Sequence, residues 1–358
     1  MKPMDTPEVF RFSTEQAVAF CYDVYHQLGV PQEEIALLAD CLIDTSLRGI
    51  DTHGILVTHI YAQRIRSGQI RPGNSLVVVR ETGTTALTDA RQGIGQVTSV
   101  AGMQLAIQKA KAQALGAVTI TNQNHNGAIS YYVRMAASEG LIGLAYGNST
   151  PRVAPYGGRS GLHGTNPVAY AVPTGNGPPM VCDFATATSG AGVRQAVEDG
   201  LPSIPAGVAL DRSGNPTTNP QAAFDGWLLP KGGAMGYGLG LLADVLVGAL
   251  ADACCGLDVP PVQDIHSPYG CGSFFLVIDP DAFAGRDRFL QRVDFLIDSA
   301  HSIPPMEGVD RVRVPGERGE VEKERRRIDG IPIRRLTWNK MLSSLETCGV
   351  SVSNWKER

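Results

Sequence analysis

Apolar residues recur every three to four positions through the first part of the chain, which is the spacing of one face of an α-helix. Ser13, followed three residues later by a glutamine, forms a capping-box pattern, and the helix that it starts ends at Gly29. Pro31 begins a second helix with two glutamates in its first turn, and a third candidate helix stops at Gly68. The pattern therefore predicts a helical segment over residues 1–75.

After the turn RPGN, short strand-like runs alternate with helices. A helix that Gly116 closes is followed by the alternating strand AVTITN, and the helix HNGAISYYVRMAASEG is followed by the strand LIGLAYGN. Further strand-like runs are GTNPVAYAVPTG, PPMVCDFATATSG and CGSFFLVIDP. We predict a mixed unit of helices and strands over residues 76–310, and a return to charged helix over residues 311–358.

The composition is that of a globular protein, with 43% hydrophobic and 18% charged residues. The net charge of −4 is too small to indicate nucleic acid or an anionic membrane as a partner. The most apolar run, residues 236–256, is long enough to span a bilayer, but Asp244 and Asp252 lie inside it, so a buried helix is predicted. We expect no nucleic-acid partner and no membrane partner.

The cysteines and the N-terminus indicate a cytoplasmic protein without a metal site. The seven cysteines are odd in number and have no regular spacing, which favours reduced thiols. The N-terminal run MKPMDTPEVFRF contains no apolar segment of the kind found in signal peptides. Neither HExxH nor CxxC occurs, so no bound metal is expected.

The glycine motifs of the common nucleotide-binding folds are incomplete. Gly93 and Gly95 are followed by Thr98 where GxGxxG requires glycine, and the pair Gly190 and Gly192 fails in the same way. The Walker pattern and the GxSxG elbow do not occur in the sequence either. These absences argue against a Rossmann dinucleotide domain, a P-loop nucleoside triphosphatase and a serine hydrolase.

Two histidines stand in polar, glycine-bounded turns. His53 follows Arg48, Asp51 and Thr52 in the connection RGIDTHGI, between the second and third helices. His125, in NQNHNGA, comes directly after a strand and at a predicted helix start, where backbone N–H groups can hold an anion. Either histidine alone could be structural, but together they are the candidates for proton transfer. Three other histidines fall on predicted helices and are interpreted as structural, and two are left open: His26, His59 and His301, then His163 and His266.

Six motifs occur in order along the chain: RGIDTHGI, NQNHNGAISYYVRMAASEGLIGLAYGNSTPRVAPYGG, GTNPVAYAVPTG, VCDFATATSG, GNPTTNPQAAF and VPGE. Together they resemble the malate/L-lactate dehydrogenase family of the second, non-Rossmann type. That family includes ureidoglycolate dehydrogenase, 2,3-diketogulonate reductase, sulfolactate dehydrogenase and cyclic ketimine reductases such as Δ1-piperideine-2-carboxylate reductase. The resemblance covers nearly the whole chain and accounts for the missing GxGxxG.

The resemblance implies an α/β (α+β) fold and a homodimer. Residues 311–358 would pack with residues 1–75 in a helical lobe, and residues 76–310 would form the cofactor- and substrate-binding lobe. That second lobe would have a largely antiparallel, non-Rossmann sheet, with the active site in the cleft between the lobes.

The resemblance also implies an activity. The family transfers hydride between NAD or NADP and a small carboxylate substrate, which is a 2-oxo acid, a 2-hydroxy acid or a cyclic α-imino acid. His53 would be the principal acid or base, and His125 would orient the substrate or share the proton. For Arg48 two interpretations stay open: a fork that binds the substrate carboxylate, or a cation that satisfies the end of a helix. The cofactor contacts map to His125, Ser149, Asp183, Phe184, Ala185, Met235, Pro315, Gly316 and Glu317. For Asp183 a second role stays open, that of fixing the tautomer of a histidine.

Three residues depart from the pattern of the family. Thr52 replaces a serine, which keeps the catalytic turn's hydroxyl and adds a methyl group. Val193 and Met235 stand where lysines are expected, although Lys231 could substitute for the second by reach. Losing two cations should weaken electrostatic binding. This raises an alternative function, that of a repurposed family member with weak cofactor binding that acts in a non-redox step or as a binding subunit.

Overall fold

The computed structural model describes residues 8–356. The helices are α1 (Thr14–Gln27), α2 (Gln32–Leu47), α3 (Thr58–Arg66), α4 (Gly95–Gln113), α5 (Ser130–Ser138), α6 (Gly190–Glu198), α7 (Pro220–Asp225), α8 (Ala234–Val247), α9 (Arg286–Ser302), α10 (Glu317–Asp329) and α11 (Arg335–Thr347). The strands are β1 (Val9–Phe12), β2 (Val77–Glu81), β3 (Thr85–Asp89), β4 (Leu115–Gln123), β5 (Ile142–Gly147), β6 (Pro167–Val172), β7 (Met180–Ala185), β8 (Ala209–Leu210), β9 (Pro216–Thr217), β10 (Trp227–Leu228), β11 (Cys271–Ile278) and β12 (Ile331–Arg334). Residues 1–7, part of the segment that argued against a signal peptide, lie outside the described residues.

Both ends of the chain pack into one helical lobe. Strand β1 pairs antiparallel with β12, and α1, α2, α3 and α11 contribute apolar side chains to the same core. Phe12, Phe20, Trp338 and Trp355 meet in this core, with ring centroids 4.9 to 6.2 Å apart. Large buried rings dominate core energetics, so the C-terminal segment is an integral part of the lobe. Strand β1 corrects the prediction that residues 1–75 are wholly helical.

A seven-stranded sheet forms the centre of the protein, in the order β2-β3-β4-β11-β5-β6-β7. Among these described strands β3 and β4 are parallel, and all other neighbours are antiparallel. Helices α4 and α5 cover one face around a core that contains Met103, Val118, Tyr132 and Phe275. The predicted α/β (α+β) class with a largely antiparallel, non-Rossmann sheet is confirmed.

The turn between α4 and β4 differs from the prediction. Helix α4 ends at Gln113, and Ala114 takes the left-handed conformation, with φ 66°, that a closing glycine was expected to take. Gly116 lies inside β4, where a Cβ would stand 2.0 Å from Ala106 O. This glycine therefore permits close packing of the strand on the helix, which is a tertiary contact rather than a helix stop.

A small subdomain lies between β7 and α8. It contains the three-stranded sheet β10-β8-β9 and the helices α6 and α7, around a core that includes Val193, Ala196 and Leu228. Each of its strands has two residues, which is too short for an alternating pattern to be recognised. The sequence pattern therefore did not predict this subdomain.

The most apolar stretch forms α8 and the turn that follows it. Over Ala234–Ala251 it is long and apolar enough to cross a membrane, but one face packs on the central sheet. Asp244 on that face accepts a hydrogen bond from Asn166 Nδ2 at 3.0 Å. Leu242 and Val245 on another face are exposed. The predicted buried helix is therefore only partly buried.

Candidate active site

The RGIDTHGI connection folds into two short 3-10 turns against α2. The N–H of Ile55 donates to Ser46 Oγ at 2.9 Å, and a Cβ at Gly54 would stand 2.0 Å from the same oxygen. A side chain at Gly54 would therefore displace the turn that carries His53. The Thr52 hydroxyl lies 2.8 Å from His53 Nδ1. The hydroxyl retained in place of the usual serine thus contacts the imidazole directly.

Arg48 and Asp51 attach this connection to the neighbouring helices. Arg48 Nε lies 3.0 Å from Asp44 Oδ2, and its Nη1 lies 2.6 Å from Glu320 Oε1. Asp51 Oδ1 lies 2.5 Å from Arg326 Nη1, on α10. These ion pairs favour the structural interpretation of Arg48, as the cation at the C-terminal end of α2, over a role in binding a substrate carboxylate.

Asparagine side chains on either side of His125 hold its turn in place. Asn124 Nδ2 donates to three backbone carbonyls, and Asn126 Nδ2 donates to Ser99 Oγ at 2.8 Å. The start of α4 packs so closely on this turn that a Cβ at Gly95 would stand 2.4 Å from His125 O. The two asparagines are therefore structural, and His125 is the chemically available residue of the motif.

The start of α5 corrects the predicted surroundings of His125. The helix begins at Ser130 rather than at His125. Its Ser130 N–H donates to Asp183 Oδ2, on β7, at 2.8 Å. The prediction that His125 lies at a helix start is wrong, because α5 starts only at Ser130. The donor-rich N-terminus of this helix binds the Asp183 carboxylate instead.

His53 and His125 face each other in the structure. Their ring centroids lie 5.5 Å apart, with an angle of 27° between the rings. His125 Nδ1 lies 2.7 Å from the Tyr61 hydroxyl, which accepts a hydrogen bond from Gln96 Nε2 at 2.8 Å. Gln96 Nε2 can only donate to this oxygen, so His125 Nδ1 is the neighbour that can accept the hydroxyl proton, and we assign the Tyr61 hydroxyl as its donor. Neutral His125 therefore carries its own proton on Nε2.

Burial and nearby charges give the two histidines different properties. Burial lowers the pKa of His125 to about 3, and the charges of His53 and Arg64 add to this effect. Burial also lowers the pKa of His53, but here the Asp183 carboxylate raises it, while Arg194 lowers it. His125 consequently stays a neutral donor, whereas His53 has a carboxylate that stabilises its protonated form.

Replacing Tyr61 with phenylalanine should disturb His125 without removing its imidazole. The Gln96 amide and His125 Nδ1 would both lose a buried partner, a loss of about 1–3 kcal/mol, so we expect kcat to fall roughly tenfold. The nitrogen NMR signals of His125 should also show a mixture of tautomers. Tyr22→Phe, on α1, is the control and should leave both measurements unchanged. A single unchanged His125 tautomer in Tyr61→Phe would contradict the assignment.

Strand β7 connects several of the predicted cofactor segments. It ends with Asp183, Phe184 and Ala185. At its start, the Val181 N–H donates to Pro315 O at 2.9 Å, which attaches the turn containing Gly316 and Glu317 to this edge strand. Just after β7, Thr186 O accepts from the Lys231 N–H at 2.9 Å, which attaches the glycine-rich turn before α8.

Ser149 joins the same network from the end of β5. The Thr165 N–H donates to Ser149 Oγ at 3.1 Å, and the Thr186 N–H donates to Thr165 O at 3.0 Å. Glu317 is placed differently, since one of its oxygens lies 2.7 Å from His301 Nε2 on α9. Backbone hydrogen bonds from the two ends of β7 thus bring together segments that are far apart in the sequence.

Known proteins place this architecture in a family. A family model described as malate/L-lactate dehydrogenase matches residues 12–342. The chain belongs to this family. It is 35% identical to L-sulfolactate dehydrogenase of Methanocaldococcus jannaschii, over 94% of this chain and 96% of that protein. A solved structure of sulfolactate dehydrogenase from the same organism superimposes with a TM-score of 0.88 at 34% identity, covering 96% of this chain and 99% of that chain.

Two further relatives in the comparison carry a cofactor in their names. Ureidoglycolate dehydrogenase (NAD(+)) of Escherichia coli strain K12 is 33% identical, over 86% of this chain and 88% of that protein. (2R)-3-sulfolactate dehydrogenase (NADP(+)) of Chromohalobacter salexigens is 32% identical, over 86% of this chain and 90% of that protein. The resemblance that the motifs indicated is confirmed, and the protein is an oxidoreductase of the malate/L-lactate dehydrogenase family.

Two of the departures from the family pattern have clear positions in the structure. Val193 is buried in the small subdomain, at 3% exposure, whereas Met235 is exposed at 68% in the first turn of α8. Burial raises the pKa of Cys182 on β7, and the charge of Lys231 partly opposes this rise. Lys231 therefore supplies positive charge close to β7.

The structure adds four residues to the site that sequence reasoning missed: Tyr61, Gln96, Ser130 and Arg194. Tyr61 follows His53 by eight residues, so a helical continuation of the RGIDTHGI connection could have indicated it. Ser130 lies in the same motif as His125, five residues after it, so the motif could have indicated it too. Gln96 and Arg194 come from α4 and α6, and no motif links these two to either histidine. They are found only by the tertiary packing.

Proposed function

We propose that this member of the malate/L-lactate dehydrogenase family transfers hydride between a nicotinamide dinucleotide, NAD or NADP, and the C2 atom of a small 2-hydroxy or 2-oxo acid. The observation that supports this most is the facing pair His53 and His125, in which one ring has a carboxylate neighbour and the other is held neutral. The bound nicotinamide would supply or accept the hydride, and the residues of the chain would handle the proton.

His53 is proposed as the acid or base. Its Nδ1 contacts the Thr52 hydroxyl at 2.8 Å, which leaves Nε2 to exchange a proton with the substrate oxygen. In hydroxy-acid oxidation the neutral ring would accept the hydroxyl proton, and Asp183 would stabilise the imidazolium that forms. In the reverse direction the protonated ring would donate to the oxygen of the 2-oxo acid.

His125 is proposed to position the same oxygen. Tyr61 donates to its Nδ1, so its Nε2–H is available as a hydrogen-bond donor toward the cleft. A pKa of about 3 keeps the ring neutral throughout the ordinary pH range. A fixed neutral donor can polarise a carbonyl without exchanging its proton, which leaves the proton transfer to His53.

The residues around the start of α8 fit a dinucleotide. Gly232 and Gly233 have φ values of 66° and 64°, and no side chain of the described residues caps the N-terminal N–H groups of α8. Free N–H groups at a helix N-terminus favour phosphate, and Lys231 adds positive charge. Apart from its chain neighbours and the nearby backbone of α8, no described atom lies within 4 Å of the position that a Cβ at Gly238 would take. We propose that these residues hold the pyrophosphate.

The alternative is a repurposed member that binds cofactor weakly and acts in a non-redox step or as a binding subunit. It is favoured by one observation: neither the buried Val193 nor the exposed Met235 supplies the cation expected at its position. Lys231 and the open start of α8 favour ordinary redox activity, which we therefore place first.

Cofactor binding followed by turnover separates the two functions. We expect NADH or NADPH to quench the protein's fluorescence, and the bound cofactor's absorbance to fall when a 2-oxo acid is added. A panel of 2-oxo acids and cyclic α-imines defines the substrate. Absence of binding at millimolar cofactor would refute the redox proposal, whereas binding without oxidation of either cofactor by any member of the panel would support repurposing.

We also propose that the protein is a cytoplasmic homodimer. Leu242, Val245 and Leu250 on and after α8 are exposed, as are Phe295 and Leu296 on α9. So many exposed apolar side chains are typical of a surface that another chain covers. A second copy of this chain is the partner that we propose for these faces.

A further inference from the structure

Asp44 on α2 is a largely buried carboxylate that three cations surround. Arg134 of α5 pairs with its Oδ2 atom, Arg48 Nε lies 3.0 Å from the same oxygen, and Lys323 Nζ of α10 lies 2.7 Å from its Oδ1 atom. Burial raises the pKa of this carboxyl, but the charges of the three cations together hold it below its ordinary value. The carboxylate therefore stays ionised, and it joins three helices at one point.

Of these three ion pairs, the pair with Arg134 crosses between the two lobes. Helix α2 contributes to the core of the helical lobe, whereas α5 covers the central sheet. The Tyr131 hydroxyl also joins these two helices, by donating to Asp40, but this hydrogen bond is exposed to solvent. Lys323 attaches α10, which two further ion pairs already hold on α2 and on the connection after it. Removing Lys323 would therefore leave α10 in place, whereas removing Arg134 would break a charged contact between the lobes.

His53 follows α2 in a connection that is attached to the end of this helix. The Ile55 N–H donates to Ser46 Oγ at 2.9 Å. Arg326 Nη1 lies 2.7 Å from Ser46 O and 2.5 Å from Asp51 Oδ1. Contacts on both sides of His53 thus fix its turn to the last turn of α2, which carries the carboxylate.

His125 is attached to α5 in a similar way. The hydroxyl of Tyr132, in the first turn of α5, donates to the carbonyl of Asn126, the residue directly after His125. Arg134 lies two residues further along the same helix. The two imidazole rings face each other with centroids 5.5 Å apart, so their separation depends on how α2 packs on α5.

We propose that Asp44 and Arg134 are positioning residues, whose ion pair fixes α2 on α5 and thereby holds His53 opposite His125. The inference rests on the proposed function, because it explains how both imidazoles reach one substrate oxygen. Neither residue of the pair touches the substrate. A displacement of about 1 Å between reacting groups can slow a reaction about a hundredfold, so a contact outside the cleft can control the rate.

The test compares Arg134→Gln with Lys323→Gln, because each variant removes one cation from the same carboxylate and leaves it two others. Kinetics are measured at a temperature at which circular dichroism shows both variants to be folded. We expect kcat to fall about ten- to a hundredfold in Arg134→Gln, with a much smaller change in KM. Lys323→Gln should keep nearly the full kcat, and Arg134→Lys, which retains the charge, should recover part of the loss. Equal kcat values in Arg134→Gln and Lys323→Gln would overturn the proposal.

Two readouts separate positioning from a loss of charge or of stability. A displaced imidazole lowers the plateau of the kcat–pH profile and leaves its midpoint in place, whereas a purely electrostatic effect of Arg134 moves the midpoint. In a His53→Gln background, Arg134→Gln should cause little further fall in kcat, because the group that is positioned is already absent. A moved midpoint with an unchanged plateau, or a full additional loss in that background, would refute the assignment.

The separation of the two rings can also be followed without turnover. In protein with isotope-labelled histidines, the nuclear Overhauser effect between the imidazole protons of His53 and His125 reports their distance. We expect this signal in the unmodified protein and in Lys323→Gln, and a weaker one in Arg134→Gln; equal intensity in all three would contradict the proposal. If the signal depends on Arg134 but the unmodified protein reduces no 2-oxo acid, the positioning pair stands and the proposed redox function fails.

Discussion

Replacing His53 with glutamine is expected to lower kcat by roughly two to four orders of magnitude, which is the usual contribution of general acid–base catalysis. The amide fills similar space and can still contact the Thr52 hydroxyl, but it cannot exchange a proton near neutral pH. KM should change much less, because His53 is proposed to transfer the proton of the reacting group rather than to bind the substrate. Steady-state kinetics in both directions measure this effect.

His59→Gln is the matched control for this substitution. His59 is the second residue of α3, and its ring contacts the carbonyl of Leu56 at 2.9 Å rather than His125. It shares with His53 a pKa lowered by burial and by Arg194, so it controls for loss of a half-buried imidazole in this region. Near-normal turnover in His53→Gln would transfer the proton role to His125.

Asp183→Asn should move the pH profile of the enzyme as well as its rate. The amide oxygen can still accept the Ser130 N–H, but the negative charge beside His53 is lost. Because that charge raises the pKa of His53, its removal lowers this pKa. Reduction requires protonated His53, so the fall in its rate with rising pH should begin at lower pH. Oxidation requires the neutral ring, so its activity should extend to lower pH.

The size of the rate effect follows from the loss of one charge-assisted interaction. We expect kcat to fall by about ten- to a hundredfold in the reduction direction at neutral pH. Asp294→Asn is a suitable control. Asp294 lies on α9 and accepts hydrogen bonds from the Gly175 N–H and from Asn176 Nδ2, in the loop between β6 and β7. A pH profile of Asp183→Asn that coincides with that of the control would show that Asp183 does not act on His53.

The sequence indicated much of the fold because its signals there are local. Helical spacing, the capping box at Ser13 and the glycine stops predict α1, α2 and α3 well, and alternating runs predict β4 to β7. The errors lie where long-range contacts decide the outcome. Ribbon β1–β12 pairs opposite ends of the chain, and Gly116 serves the packing of β4 on α4 rather than the end of a helix.

The candidate site shows the same division. The motif order found His53 and His125, because polar residues between glycines are visible in a single segment. Arg48 was left with two interpretations, since a sequence does not show which carboxylates an arginine meets. Its pairs with Asp44 and Glu320 favour the structural one.

By itself the sequence determined the family, the two histidines and the absence of a Rossmann glycine motif, since ordered motifs and residue spacings carry this information along the chain. The tertiary structure alone decided how the histidines differ. Tyr61 and Gln96 set the proton position of His125, the Asp183 carboxylate raises the pKa of His53, and the charge of Arg194 on α6 lowers it. These properties depend on burial and on the distances and charges between segments that are far apart in the sequence. Such quantities exist only once the chain is folded.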